Sequence, residues 1–125
     1  MAQDRPTVLV VDDEPEIRST LSEYLEMQGY PVLMADGGEA ALSILKEHEV
    51  KFALLDIRMP GMDGLQTLEQ IRLKHPEIIV VMVSGMGMED LAQRALRMGA
   101  SDYISKPLRL DYLETVLGML ELLDE

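Results

Sequence analysis

Short β-branched runs alternate with longer amphipathic stretches along this chain, five times over. The runs are Thr7–Val11, Pro31–Ala35, Phe52–Leu55, Ile78–Val83 and Asp102–Ile104. Several are apolar almost throughout, which suits strands covered on both faces and disfavours a half-exposed antiparallel sheet. Between them, Ile17/Leu21/Leu25, Ala40/Ala41/Ile44/Leu45, Leu65/Leu68/Ile71, Ala92/Ala95/Leu96 and Leu110/Leu113/Val116/Leu117/Leu120 recur at helical spacing. The punctuation agrees with the periods. Gly29, Gly99 and the Lys74-His75-Pro76 step follow helical patterns, where a left-handed cap or a proline stop is expected, and Asp63 and Asp111 stand at helix starts.

Strict strand–helix alternation with short connections implies right-handed crossovers. The predicted fold is α/β: a (βα)5 doubly wound, five-stranded parallel sheet in the order 2-1-3-4-5, flavodoxin-like in topology. In such sheets the ligand crevice lies at the carboxyl ends of the strands, beside the switch point between strands one and three. The residues that follow each strand are therefore the ones to examine.

Composition narrows the function classes. The chain has 125 residues, which suits one domain over residues 1–125, and it has no cysteine, so disulfide frameworks, thiolate metals and cysteine nucleophiles are excluded. Twenty-three acids against 11 Lys plus Arg leave a formal charge of −12, a field that repels polyphosphate backbones and anionic membranes. At 47% hydrophobic and 27% charged, the chain reads as a folded globular protein. Neither a targeting segment at Met1–Arg5 nor a membrane-spanning run is evident, and a cytoplasmic location is expected.

The strand ends carry Asp12-Asp13-Glu14, then Asp56, Ser84-Gly85 and Ser105-Lys106-Pro107. Taken alone, the first group reads as helix-start acids favoured by the dipole, Asp56 as a turn residue and Lys106 as a solvated loop charge. The topology brings them to one rim, where unpaired carboxylates repel unless one protonates or a cation intervenes. All the available ligands are oxygens, so a hard divalent ion such as Mg²⁺, with Mn²⁺ as a substitute, fits best. Lys106 adds a positive charge for an anionic ligand and Ser84 a hydroxyl donor. Carboxylates, cation, ammonium and hydroxyl together suit a phosphoryl group, and an aspartate can be its nucleophile. Gly85-Met86-Gly87 lacks the third glycine of a phosphate-binding fingerprint and reads as a mobile loop, while His48 and His75 fall at helix ends without a catalytic role.

Val10-Val11-Asp12-Asp13-Glu14-Pro15, Leu54-Leu55-Asp56-Ile57-Arg58-Met59-Pro60-Gly61-Met62-Asp63-Gly64, Val83-Ser84-Gly85, Gly99-Ala100-Ser101-Asp102-Tyr103-Ile104 and Lys106-Pro107 occur in that order. From about Thr7 to Leu123 the chain resembles the CheY-like receiver domain of two-component response regulators. The resemblance implies that Asp56 accepts a phosphoryl group from a phosphohistidine on a sensor histidine kinase or a histidine phosphotransfer protein. It implies Asp13, Asp56 and the backbone carbonyl of Arg58 as metal ligands, Asp12 acting indirectly through water, and Lys106 binding the acyl phosphate. Ser84 and Tyr103 become the switch pair, Ser84 standing where threonine is common. Output is implied through the face of the fourth helix, fifth strand and fifth helix, a surface that also suits homodimerisation on phosphorylation. Lys106-Pro107 is a place for a cis bond that aims the lysine. Arg58 and Met86 flank the acceptor, and two long side chains there are expected to obstruct attacking water and prolong the phosphoryl group's lifetime. Met59, Met62, Met86 and Met88 fall near the expected pocket mouth.

A signalling switch is thus favoured over a turnover enzyme. An aspartyl-nucleophile phosphatase usually carries a second acid two residues after the nucleophile, where this chain has Arg58. A flavin-binding module of the same topology needs a Ser/Thr-rich loop after strand one, where this chain has Asp-Asp-Glu-Pro, and there is no tryptophan. A scaffold that no longer takes phosphate is disfavoured by the intact Asp13, Asp56 and Lys106. The expected output is either a stand-alone switch or the amino-terminal receiver of a longer regulator.

Overall fold

A computed structural model describes residues 5–123, so most of the Met1–Arg5 start considered for a leader lies outside the described residues. The elements run β1 (Val8–Val11), α1 (Pro15–Met27), β2 (Val32–Ala35), α2 (Gly38–Glu47), β3 (Phe52–Asp56), α3 (Gly64–Lys74), β4 (Ile79–Ser84), α4 (Glu89–Arg97), β5 (Asp102–Ser105) and α5 (Leu110–Leu123). All four strand pairings are parallel and the order is β2-β1-β3-β4-β5, as the alternation predicts. No helix among the described residues is long and apolar enough to cross a membrane.

Successive strand residues point to opposite faces, and the central strands feed two separate cores. Leu9, Val11, Ala53, Leu55, Val80 and Met82 pack against Ala41 and Leu45 of α2, Leu68 and Ile71 of α3, and Ala92 and Ala95 of α4. Val8, Val10, Phe52, Leu54, Val81 and Val83 pack against Leu21 and Leu25 of α1 and Leu113, Val116 and Leu117 of α5. Strands buried on both sides cannot alternate with polar residues, which is why β1 is apolar throughout and β3 and β4 are apolar up to their last residues, Asp56 and Ser84.

The helix ends follow their expected signals. Gly29 and Gly99 adopt left-handed φ of 96° and 113° just past α1 and α4. Asp63 caps α3: its side chain accepts from the Gln66 N–H at 2.9 Å, and the Gln66 side chain accepts from the Asp63 N–H at 3.0 Å. His48 and His75 are the residues immediately after α2 and α3, consistent with their reading as helix ends. Asp56, Ser84 and Ser105 are the last residues of β3, β4 and β5 and do not follow them. The ladder holds them because Ile57 N–H continues it to the Val83 carbonyl at 3.1 Å, and Lys106 N–H to the Ser84 carbonyl at 2.7 Å.

Candidate functional site

Because Asp56 and Ser84 are still in the sheet and Asp12 follows β1 directly, three polar side chains enter the core's upper edge. Asp12, Asp56 and Ser84 are 1%, 4% and 3% exposed, a degree of burial that charged groups rarely reach without partners. Asp13 is half-buried beside them. One carboxylate oxygen from each of Asp12, Asp13 and Asp56 lies within 4.8 Å of the others.

The charges facing these acids come from the opposite end of the chain. Lys106 Nζ lies 3.5 Å from Asp56 Oδ2, 3.6 Å from Asp12 Oδ2 and 3.1 Å from Glu14 Oε1. The Lys106-Pro107 bond is cis, as the sequence suggested for the residue beside the site. Backbone donors complete the set. The Arg58 N–H donates to Asp56 Oδ1 at 3.3 Å and the Glu14 N–H to Asp12 Oδ1 at 2.9 Å. Arg18 Nη1 donates to the Asp12 carbonyl at 2.7 Å and pins the chain as it leaves β1.

This balance leaves Asp56 short of compensation. Burial first, and the Asp12 carboxylate second, push its carboxyl up from 3.8 to about 6, against the opposing pull of Lys106 and the Arg58 N–H. For Lys106, burial favours the neutral amine, but Asp56, Glu14 and Asp12 outweigh it and the net direction is upward. The lysine therefore stays an ammonium while the aspartate remains poised to gain a further positive neighbour.

Asp13, Glu14, Asp56, Arg58, Met59, Pro60, Gly85, Met86, Met88 and Lys106 line one open cavity of about 560 Å³ above the acids. Arg58 and Met86 stand exposed on its rim, Met86 at 92%. Three of the four methionines expected at the mouth are there. Met62 is not: it packs over Gly38, where a β-carbon would approach its Cγ and Sδ to 2.9 Å. Tyr103 also stands apart, half-buried on β5 and lining a neighbouring cavity with Lys106, Pro107 and Tyr112. It pairs in register with Met82, two residues before the Ser84 and Ser105 pair.

Two contributors escaped the sequence reading of the site. Glu14, taken only as part of an acidic group, is the nearest acid to Lys106. Gly64 begins α3 against the end of β3, where a β-carbon would overlap the Asp56 carbonyl oxygen and crowd Ile57 Cα at 2.6 Å. Its N–H donates to the Ile57 carbonyl at 2.8 Å, so the backbone approaches closely enough that only glycine fits. The sequence signal was available in Asp63-Gly64, where Asp63 was read as a helix start and Gly64 only as part of the motif that follows Asp56.

A family model for the response regulator receiver domain matches residues 8–117. The chain is 39% identical over 100 residues to the response regulator protein FleR of Pseudomonas aeruginosa, covering 80% of this chain and 21% of that protein. It is 33% identical over 107 residues to a cyclic di-GMP phosphodiesterase of Thermotoga maritima, covering 86% of this chain and 28% of that protein. The solved receiver domain of NtrX from Brucella abortus is similar at a TM-score of 0.87 and 38% identity, over 90% of this chain and 95% of that one. The chain spans about a quarter of the length of the curated relatives it matches. The family match runs through every strand and every residue lining the acidic cavity, and the chain belongs to the response regulator receiver domain family.

Proposed function

We propose that residues 1–125 act as a phosphorylation-dependent signalling switch in which Asp56 takes a phosphoryl group from a phosphohistidine on a sensor kinase or a phosphotransfer protein. The observation that carries this reading is a buried aspartate at the floor of an open cavity, with an ammonium at 3.5 Å and two further acids clustered beside it. In the transfer, an Asp56 carboxylate oxygen bonds to phosphorus as the phosphorus–nitrogen bond breaks, and the imidazole leaves with the electron pair. Lys106 offsets charge on the phosphoryl oxygens, and the Arg58 N–H, already aimed at Asp56 Oδ1, keeps the carboxylate oriented.

The donor set fits a hard divalent cation, since it offers only oxygens and the carboxylates exceed the nearby ammonium groups. Asp13, Asp56 and the Arg58 carbonyl would hold Mg²⁺ or Mn²⁺, with Asp12 acting through water. The ion supplies charge neutralisation at the phosphoryl oxygens. Ser84, buried at the end of β4, donates its hydroxyl to the new phosphoryl group, and Tyr103 responds by turning inward. That population shift alters the α4-β5-α5 face, which serves downstream contacts and homodimerisation. Arg58 and Met86 on the rim restrict water's approach to the acyl phosphate and lengthen its lifetime.

Intact-mass measurement after incubation with Mg²⁺ and a small acyl phosphate tests the assignment. One phosphoryl mass is expected on the wild type and none on Asp56→Asn. A gain that persists in the variant, or no gain on the wild type, overturns it.

A further inference from the structure

Lys106 has three carboxylate partners, and the nearest is not the buried pair at the cavity floor but Glu14, at 3.1 Å against 3.5 Å to Asp56 and 3.6 Å to Asp12. The three differ in kind. Asp12 and Asp56 are buried, whereas the Glu14 side chain is 58% exposed and sits on the wall of the cavity through which a phosphoryl donor enters. Its backbone is fixed, because it is the residue before α1 and its N–H is held by Asp12 Oδ1 at 2.9 Å. The carboxylate is thus a negative charge anchored at the entrance, with the ammonium that must meet the incoming phosphoryl group already in its grasp.

We propose that Glu14 is a positioning and specificity residue: it holds Lys106 at the rim and biases the site against fully anionic free phosphodonors, in favour of donors with a cationic leaving group. The proposal rests on Asp56 being the phosphoacceptor. Two effects combine. A donor must draw Lys106 away from Glu14, and its own charge is repelled by the same carboxylate. Acetyl phosphate is a dianion near neutral pH and meets both effects in full. Phosphoramidate carries a protonated nitrogen that offsets one charge, so it meets the repulsion only in part. A phosphorylated imidazole on a partner protein resembles the second case.

Both model reactions balance on the same acceptor. With acetyl phosphate, an Asp56 oxygen bonds to phosphorus, the phosphorus–oxygen bond to the acetyl group breaks, and acetate leaves with the electron pair. With phosphoramidate, the phosphorus–nitrogen bond breaks and ammonia leaves, its nitrogen having carried the needed proton already.

The test compares rates of phosphoryl gain by intact mass for wild type, Glu14→Gln and Glu16→Gln, each at saturating Mg²⁺ with acetyl phosphate and with phosphoramidate. Glu14→Gln keeps the length of the side chain and the backbone bond to Asp12 while removing the charge. Its rate with acetyl phosphate is expected to rise roughly two- to fivefold, the scale that a partly exposed ion pair supports. Its rate with phosphoramidate is expected to rise by a clearly smaller factor, and the difference between donors to shrink near 1 M salt, where screening acts within about 3 Å. Glu16→Gln, exposed in the first turn of α1 and outside the cavity, is expected to behave as wild type. Equal factors for both donors, an unchanged acetyl phosphate rate in Glu14→Gln, or the same discrimination from Glu16→Gln overturns the role of Glu14. Absence of any phosphoryl gain on the wild type from either donor overturns instead the phosphoacceptor reading on which it stands.

Discussion

The two ends of the parallel sheet handle charge in opposite ways. At the amino end, Arg5, Thr7, Lys51, Glu49 and Glu77 surround a surface cavity, and the two glutamates there are exposed. Backbone groups at that end find one another, with Lys51 N–H on the Thr7 carbonyl at 3.0 Å and Ile79 N–H on the Lys51 carbonyl at 2.9 Å. At the carboxyl end, Asp12 and Asp56 are buried side by side with one ammonium between them and the rim. Charges in water cost little, and buried like charges store repulsion that a ligand can later release. Stability therefore resides in the apolar layers between the ends, and the capacity to respond resides where the fold tolerates an imbalance.

Substitutions can separate these contributions. The largest expected effect lies in the core shared by both ends: Phe52→Ala, at a fully buried position on β3, should cost about 3–5 kcal/mol in denaturant unfolding. Gly64→Ala should cost about 1–3 kcal/mol and slow phosphoryl uptake as well, because the displaced backbone is that of Asp56 and Ile57. If uptake is unchanged at a measurable stability loss, the close approach of α3 does not position Asp56.

Asp56→Asn should act in the opposite direction. In chelator at pH 7.5 it should stabilise the fold by about 1–3 kcal/mol, the scale set by moving a carboxyl from 3.8 to about 6. Here the folded value is the higher one, so between about 4 and 6 the folded state binds the extra proton and stability falls as pH rises. The cost of Asp56 is full above about 6 and vanishes below about 4, and the advantage of Asp56→Asn should shrink over that interval. Paired thermal melts of the two proteins from pH 7.5 to pH 4 read this difference directly; a constant gap would show that burial and Asp12 do not strain Asp56.

At the amino end, Glu49→Gln and Glu77→Gln should change stability by less than about 0.5 kcal/mol, as exposed substitutions do. A larger change in either would erase the contrast between the two ends.

Much of this molecule was legible along the chain because its cause is local. Val8–Val11 and Phe52–Leu55 are apolar at every position, since both faces of each strand are covered, and that pattern together with the strand–helix alternation implied a parallel sheet with helices on either side. Strand-end placement then nominated Asp12, Asp13, Asp56, Ser84 and Lys106, and the fold brings all five to one edge. What was not legible depends on neighbours remote in sequence. Met62 packs over Gly38 where α2 and α3 come close, with Thr67 beside it, and nothing in Met59-Pro60-Gly61-Met62 signals it. Asp63-Gly64 announces a helix start, but the reason for glycine is the carbonyl of Asp56 pressed against it.

The succession of elements and the identity of the strand-end acids were thus determined by the sequence itself, because side-chain periodicity is a consequence of local chemistry, whereas the strand order is settled by which strands pair. Burial and distance were decided only by the tertiary structure. Asp12, Asp13 and Glu14 are consecutive, yet one is buried, one half-buried and one exposed at the cavity wall. The nearest partner of Lys106 lies 92 residues away in the chain and is the exposed member of the three. Electrostatic strength follows depth and separation in space, and those are fixed only when β1, β3 and β5 are packed into one sheet.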